Sequence, residues 1–193
     1  MSKPFLSRVC QIVNLLALSV WLGSVAMSGV VAAKVFPLMR ELQPTLASFP
    51  DYEGDHALLT AGQVASSIFF IVDTIQFICA TLALGSLVAL VVMGYSLNTL
   101  ARVARVVLLC MTLALLSYHL FVFMPGFEGT LRAYWDFAHA GDTVQADALK
   151  DQFLQSHPTA SRLIGGLTIM VLVNIVVAGW TLTAGEMKTE KAA

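Results

Sequence analysis

The stretch FIVDTIQF, residues Phe70–Phe77, sets Asp73 inside a run otherwise apolar enough to dissolve in lipid. A carboxylate at the centre of a spanning helix costs about 2.5–3.5 kcal/mol on insertion scales, while each Leu, Ile, Phe or Val returns about 0.3–0.6 kcal/mol. Roughly a dozen such residues flank Asp73, so the helix still inserts, with its acid turned toward other protein groups. Helical spacing puts Ser66, Asp73, Gln76, Ala80 and Ala83 on one polar, small-residue stripe below Gln63. His119 lies at a similar depth on the following, antiparallel span, so the two side chains can meet. An acid and an imidazole enclosed by helices can bind a cation or relay a proton. Gln76, Asn174 near the midplane, Asn14, Ser28 and Thr181 are further inward-facing candidates, with interhelical hydrogen bonding as their plain role.

A second group of residues, Asp51, Glu53, Asp55, His56, His139 and His157, falls in the connections between spans. Histidine with carboxylate suits zinc, copper or iron where side chains converge, which makes His56, His139 and His157 candidate ligands. No two histidines share i, i+4 spacing, and no ligand motif is present, so a solvated surface is the simpler expectation. Cys10, Cys79 and Cys110 all lie in apolar stretches without CxxC spacing, which indicates neither a disulfide framework nor a zinc cluster.

The elements that must position these residues are membrane spans. Of 193 residues, 58% are hydrophobic and 12% charged, and the mean hydropathy is +0.79, well beyond an ordinary soluble domain. The net charge of -1 points to no nucleic-acid partner. A spanning helix needs about 20 mostly apolar residues, and four stretches qualify, at about 9–33, 64–93, 106–124 and 163–184. The expected fold is a single all-α integral membrane domain. It is a four-helix bundle with helical outer-side extensions at about 34–63 and 125–162. VVAA before Lys34 resembles a signal-peptidase site, but the preceding apolar region is roughly twice a signal-peptide core, so the first span is expected to stay.

Lys3 and Arg8 at the head, Arg102 and Arg105 between spans two and three, and Lys188 and Lys191 in the tail place those segments, and both termini, in the cytoplasm. The longer connections hold most of the acids and face outward. GDTVQADALKDQF opens a short amphipathic helix, with Asp142 as cap and Gln145 as its reciprocal partner. Pro158 suits the first turn of the next helix with Ser156 as cap, and Asp55 caps an outward extension of the second span.

LALSVWLGSVAMSGVVAAKVFPLM, together with FLQSHPTASRLIGGLTIMVLVN, resembles the small four-span membrane proteins grouped with transmembrane protein 205 and catalogued as a domain of unknown function. Trp21, Leu22, Gly23, Phe36, Phe153, His157 and Ser161 carry the likeness, and the last three share one helical face at the entry of the fourth helix. Lys34, where the family is usually apolar, and the longer loop SFPDYEGDH depart from it. The resemblance implies a four-helix membrane protein and supplies no reaction.

Three functions are therefore weighed, with structural or accessory service expected ahead of ligand handling and an oxidoreductase last. The first is a structural or accessory membrane protein whose polar stripe holds helices together. Ser19 with Gly23, and Ser24 with Ser28, would allow a homo-oligomer or partner membrane protein to approach. The second is handling of a small ligand, cation or proton around Asp73 and His119. The third is a haem or metal oxidoreductase subunit, which needs a second histidine at the depth of His119. No nucleophile elbow, phosphate loop, HExxH or paired catalytic carboxylates occur, so neither enzymatic catalysis nor a cofactor leads the expectation.

Overall fold

A computed structural model describes residues 3–190, with side chains to residue 182. Lys191 lies outside the described residues, and the side chain of Lys188 outside the described side chains. The helices are α1 (Lys3–Leu42), α2 (His56–Val92), α3 (Leu100–Tyr118), a π-helical segment (His119–Phe123), α4 (Met124–His139) and α5 (Thr143–Glu190). Four helical stretches, Lys3–Leu42, His56–Val92, Leu100–His139 and Thr143–Leu182, are long and apolar enough to cross a bilayer. The chain is an all-α four-helix bundle and a multi-pass membrane protein, with no strand among the described residues.

The side-chain distribution is inverted relative to a soluble bundle. On α2, Phe70, Ile71, Phe77, Ile78, Leu82 and Val88 are exposed, while Gln76, Ala80, Ala83 and Ser86 are buried. In water such an apolar exterior drives association. In lipid it is solvated, and small or hydrogen-bonding residues face the neighbouring helices.

Local chemistry accounts for the helix ends. Gln43 adopts φ +47 and Pro44 follows it, so α1 stops at Leu42. Gly94 (φ +99) ends α2 in a Schellman turn, with Tyr95 N–H donating to Leu90 O and Gly94 N–H to Val91 O. Gly141 (φ +75) does the same for α4. Asp55 Oδ1 accepts from Leu58 N–H at 2.8 Å, and Asp142 Oδ1 from Gln145 N–H at 3.1 Å, so both acids cap as expected.

Two expectations need correction. Asp142 N–H donates to Phe137 O, so the backbone of the preceding turn fills the role assigned to the Gln145 side chain. Pro158 lies inside α5 rather than at a helix start, and Ser156 Oγ donates back to Gln152 O instead of capping. The amphipathic segment and the fourth span are thus one helix. Pro125 also lies within a continuous helical stretch, Leu100–His139. Lacking an N–H and clashing with the carbonyl four residues back, it is accommodated by widening the preceding turn, where Met124 N–H reaches His119 O.

Residue contacts cluster into two compact units. The first comprises residues 1–25, 74–116 and 166–193, with Leu18, Trp21, Ala83, Leu90, Leu167 and Val171 in its core. The second comprises residues 26–73 and 117–165. Its core gathers Phe49, Tyr52, Leu59, Leu131, Tyr134, Ala138 and Ala146, so the 43–55 connection is folded into the unit. His56 latches that connection: Nδ1 accepts from Leu46 N–H at 3.2 Å, which leaves Nε2–H to donate to Tyr52 O at 2.8 Å.

Candidate functional site

The second unit contains both Asp73 and His119. His119 Nε2 lies 3.3 Å from Asp73 Oδ1, with the imidazole 2% exposed and the carboxylate 15% exposed. His119 is the first residue of the π-helical segment, so the turn that accommodates Pro125 also sets the direction of its ring. Its Nδ1 is buried without a hydrogen-bond partner. Such an imidazole carries a spare ring nitrogen beside a carboxylate, and together they can hold a proton or face a cation.

Aromatic rings continue from the pair. His119 stacks on Phe123 with centroids 6.3 Å apart, and Phe123 on Phe127 at 5.3 Å. Phe127 then meets Phe153 at 4.5 Å and His157 at 6.4 Å. Thus Phe153 and His157, on one face of α5, join the same file as His119. Ser161 does not take part through its hydroxyl, which donates to His157 O. Phe123 and Phe127 follow His119 at four-residue steps, a spacing visible in the sequence but given no role there.

Gln76 and Asn174 fall in the first unit. Gln76 Oε1 accepts from Trp21 Nε1–H at 3.0 Å. Asn174 Nδ2–H donates to Thr112 Oγ1 and to Met170 O, each at 2.8 Å. Asn14, Ser28 and Thr181 are buried, as their inward-facing assignment expects. Asn14 Nδ2–H donates to Ala83 O at 2.8 Å and to Ser86 Oγ at 3.1 Å.

One buried group escaped the sequence reading. Arg105, read there as an orientation signal, is 2% exposed. Its Nη2–H donates to Asn14 Oδ1 at 2.7 Å and its Nη1–H to Thr181 Oγ1 at 3.3 Å. The positive-inside pattern weighs only position along the chain, and nothing in the local sequence signals that Asn14 and Thr181 converge on it.

The histidines of the connections do not converge. His56 spends both ring nitrogens on backbone, His139 packs edge-on against Phe49 at 5.6 Å, and His157 joins the aromatic file. Among the described residues no three His, Cys, Asp or Glu side chains are grouped to hold a metal. Asp55 serves as a helix cap, and the Glu53 N–H donates to Thr143 Oγ1 at 3.4 Å. An open cleft of about 490 Å³ lies nearby, lined by Arg40, Gln43, Thr45, Gly54, Asp55 and His56 among others.

No family model, curated protein or solved structure matches the chain.

Proposed function

We propose that this multi-pass membrane protein, its termini in the cytoplasm, carries a cation-accepting site at Asp73 and His119 in the outer half of the bundle. The observation that carries the reading is the buried imidazole, 3.3 Å from a carboxylate and with its other nitrogen unpartnered. An ionisable pair inside a span is costly, and its default use is functional. The aromatic file from His157 supports it, because ring faces attract cations and exclude anions. The resemblance to the transmembrane protein 205 group is kept as part of this reading, with His157 and Phe153 among the residues that carry it.

Infrared difference spectra of the full chain in nanodiscs, taken with and without an added monovalent or divalent cation at one fixed pH, test the proposal. Wild type should show a coupled carboxyl and imidazole signal. That signal should vanish in Asp73→Asn and change in His119→Gln. A wild-type spectrum without either band overturns the reading.

The second reading is structural or accessory service, favoured by the hydrogen-bond layer of Trp21, Gln76, Asn14, Arg105, Thr112 and Asn174. On that reading Asp73 and His119 are helix glue worth on average about 0.6 kcal/mol. Unfolding of Asp73→Leu, His119→Leu and the double variant would then show coupling of that size and no altered binding or proton uptake. A haem or metal oxidoreductase has the least support, since among the described residues no three His, Cys, Asp or Glu side chains gather to hold a metal.

A further inference from the structure

We infer that Arg105 and Tyr95 form an oxyanion-binding site at the membrane face that carries the termini, one that takes a phosphate group. Arg105 is buried, yet its hydrogen-bond partners, the Asn14 amide oxygen and the Thr181 hydroxyl, are neutral. Ion pairs among the described side chains join His119 to Asp73, Arg132 to Glu128 and Lys150 to Asp147; none includes Arg105. A permanently charged guanidinium withdrawn from water without a counter-charge is costly. Two donors at this place are also idle. Arg105 Nε–H and the Tyr95 hydroxyl are both buried without a hydrogen-bond partner. They are neighbours, since Arg105 Cζ stands 5.9 Å from the centroid of the Tyr95 ring. A second cation approaches the same ring: Arg102 Cζ is 5.0 Å from the centroid.

Two guanidiniums and a hydroxyl with spare donors match the oxygens of a phosphate, which a guanidinium fork binds through parallel N–H bonds. The idle donors are shut off from solvent, so the ligand enters as the Tyr95 ring swings aside. The turn is suited to that movement. Gly94 sits at φ +99 with open space around it, and Arg102 Nη1–H holds the turn through Ser96 O and Asn98 Oδ1. Opening the turn frees Arg102 for the ligand. The phosphate can belong to an anionic lipid headgroup or be free in solution.

The test uses the full chain in nanodiscs of phosphatidylcholine alone or with phosphatidylglycerol, read by native mass spectrometry, and inorganic phosphate binding read by ³¹P NMR. A lipid source is shown by retention of phosphatidylglycerol over phosphatidylcholine by about tenfold or more, a free source by inorganic phosphate binding in the neutral discs. In either case Tyr95→Phe, which keeps the ring, and Arg105→Lys, which keeps the charge but not the fork, should each weaken binding about tenfold. Circular dichroism melts confirm that both variants fold. Equal retention of the two lipids with no phosphate binding overturns the site, as does binding unchanged in both folded variants. Glu186 and Glu190 lie beyond the described side chains; if phosphate binds only after Glu186→Gln with Glu190→Gln, a carboxylate of the chain fills the place and the proposal fails.

Discussion

At the residue scale, the polar side chains of this bundle divide by whether their hydrogen-bonding capacity is used up. Asn14, Gln76 and Asn174 donate to or accept from defined partners, and a satisfied amide inside a bundle mainly fixes how helices sit. His119, Arg105 and Tyr95 keep idle atoms, and idle buried polar atoms are expensive unless they serve a ligand or a proton. The tyrosine pair of the second unit is of the first kind. Tyr52 and Tyr134 hydroxyls lie 3.1 Å apart, and burial, followed by the Tyr52 hydroxyl, pushes the Tyr134 phenol well above its ordinary value. Because the folded state favours the protonated phenol, its contribution is fully present below the unfolded value of about 10 and is lost as pH rises above it. Thermal melts of the full chain at rising alkaline pH should therefore show a decline that begins near pH 10. It should be smaller in Tyr134→Phe. An identical decline in that variant would mean that other groups govern alkaline unfolding.

At the element scale, the sequence was legible wherever a signal is local and backbone-directed. Asp55 and Asp142 cap the helices they precede, because an acid placed at that position reaches N–H groups that any helix start leaves open. Proline was less legible. Its ring forbids one hydrogen bond but does not say whether the chain ends a helix, starts one or bends through, and here Pro37, Pro125 and Pro158 all lie within helices. The facing of Asp73 toward protein followed from insertion cost alone, and its meeting with His119 from depth. The bond of Gln76 to Trp21 was not legible, because it required knowing a partner 55 residues away. The π-helical segment joins these points. It inserts one extra residue into the turn after His119, a rotation of about 100° about the helix axis relative to a continuous α-helix. Pro125→Ala restores the missing N–H and removes the clash, so this segment should relax toward α geometry and carry His119 off Asp73. Disulfide trapping of Asp73→Cys with His119→Cys should be efficient with Pro125 present and fall several-fold in the Pro125→Ala background. Equal trapping in both backgrounds would show that tertiary packing, not the proline, holds the wide turn.

At the scale of the whole molecule, the inverted distribution of side chains and the placement of charge make one statement about orientation. Phe70, Phe77, Phe121, Val122 and Trp180 are exposed along helices that need lipid around them, which fixes the bundle across a bilayer but not which way up. The proposed direction rests on Lys3, Arg8, Arg102 and Arg105, residue types that resist translocation, against connections that carry Asp51, Glu53, Asp55, Asp142 and Asp147. Two exposed serine and asparagine positions report on it directly: Ser48 in the connection after α1 and Asn98 in the turn before α3. In a chain with Cys10, Cys79 and Cys110 replaced, Ser48→Cys should react with a membrane-impermeant maleimide on intact cells, and Asn98→Cys only after permeabilisation. Both substitutions sit outside the helices and the buried core, so the fold should tolerate them. The reverse labelling pattern would invert the bundle. It would put the Asp73–His119 pair in the cytoplasmic half, and Arg105 would then stand as a cation carried to the far side despite the charge bias, its placement dictated by Asn14 and Thr181 rather than by the membrane.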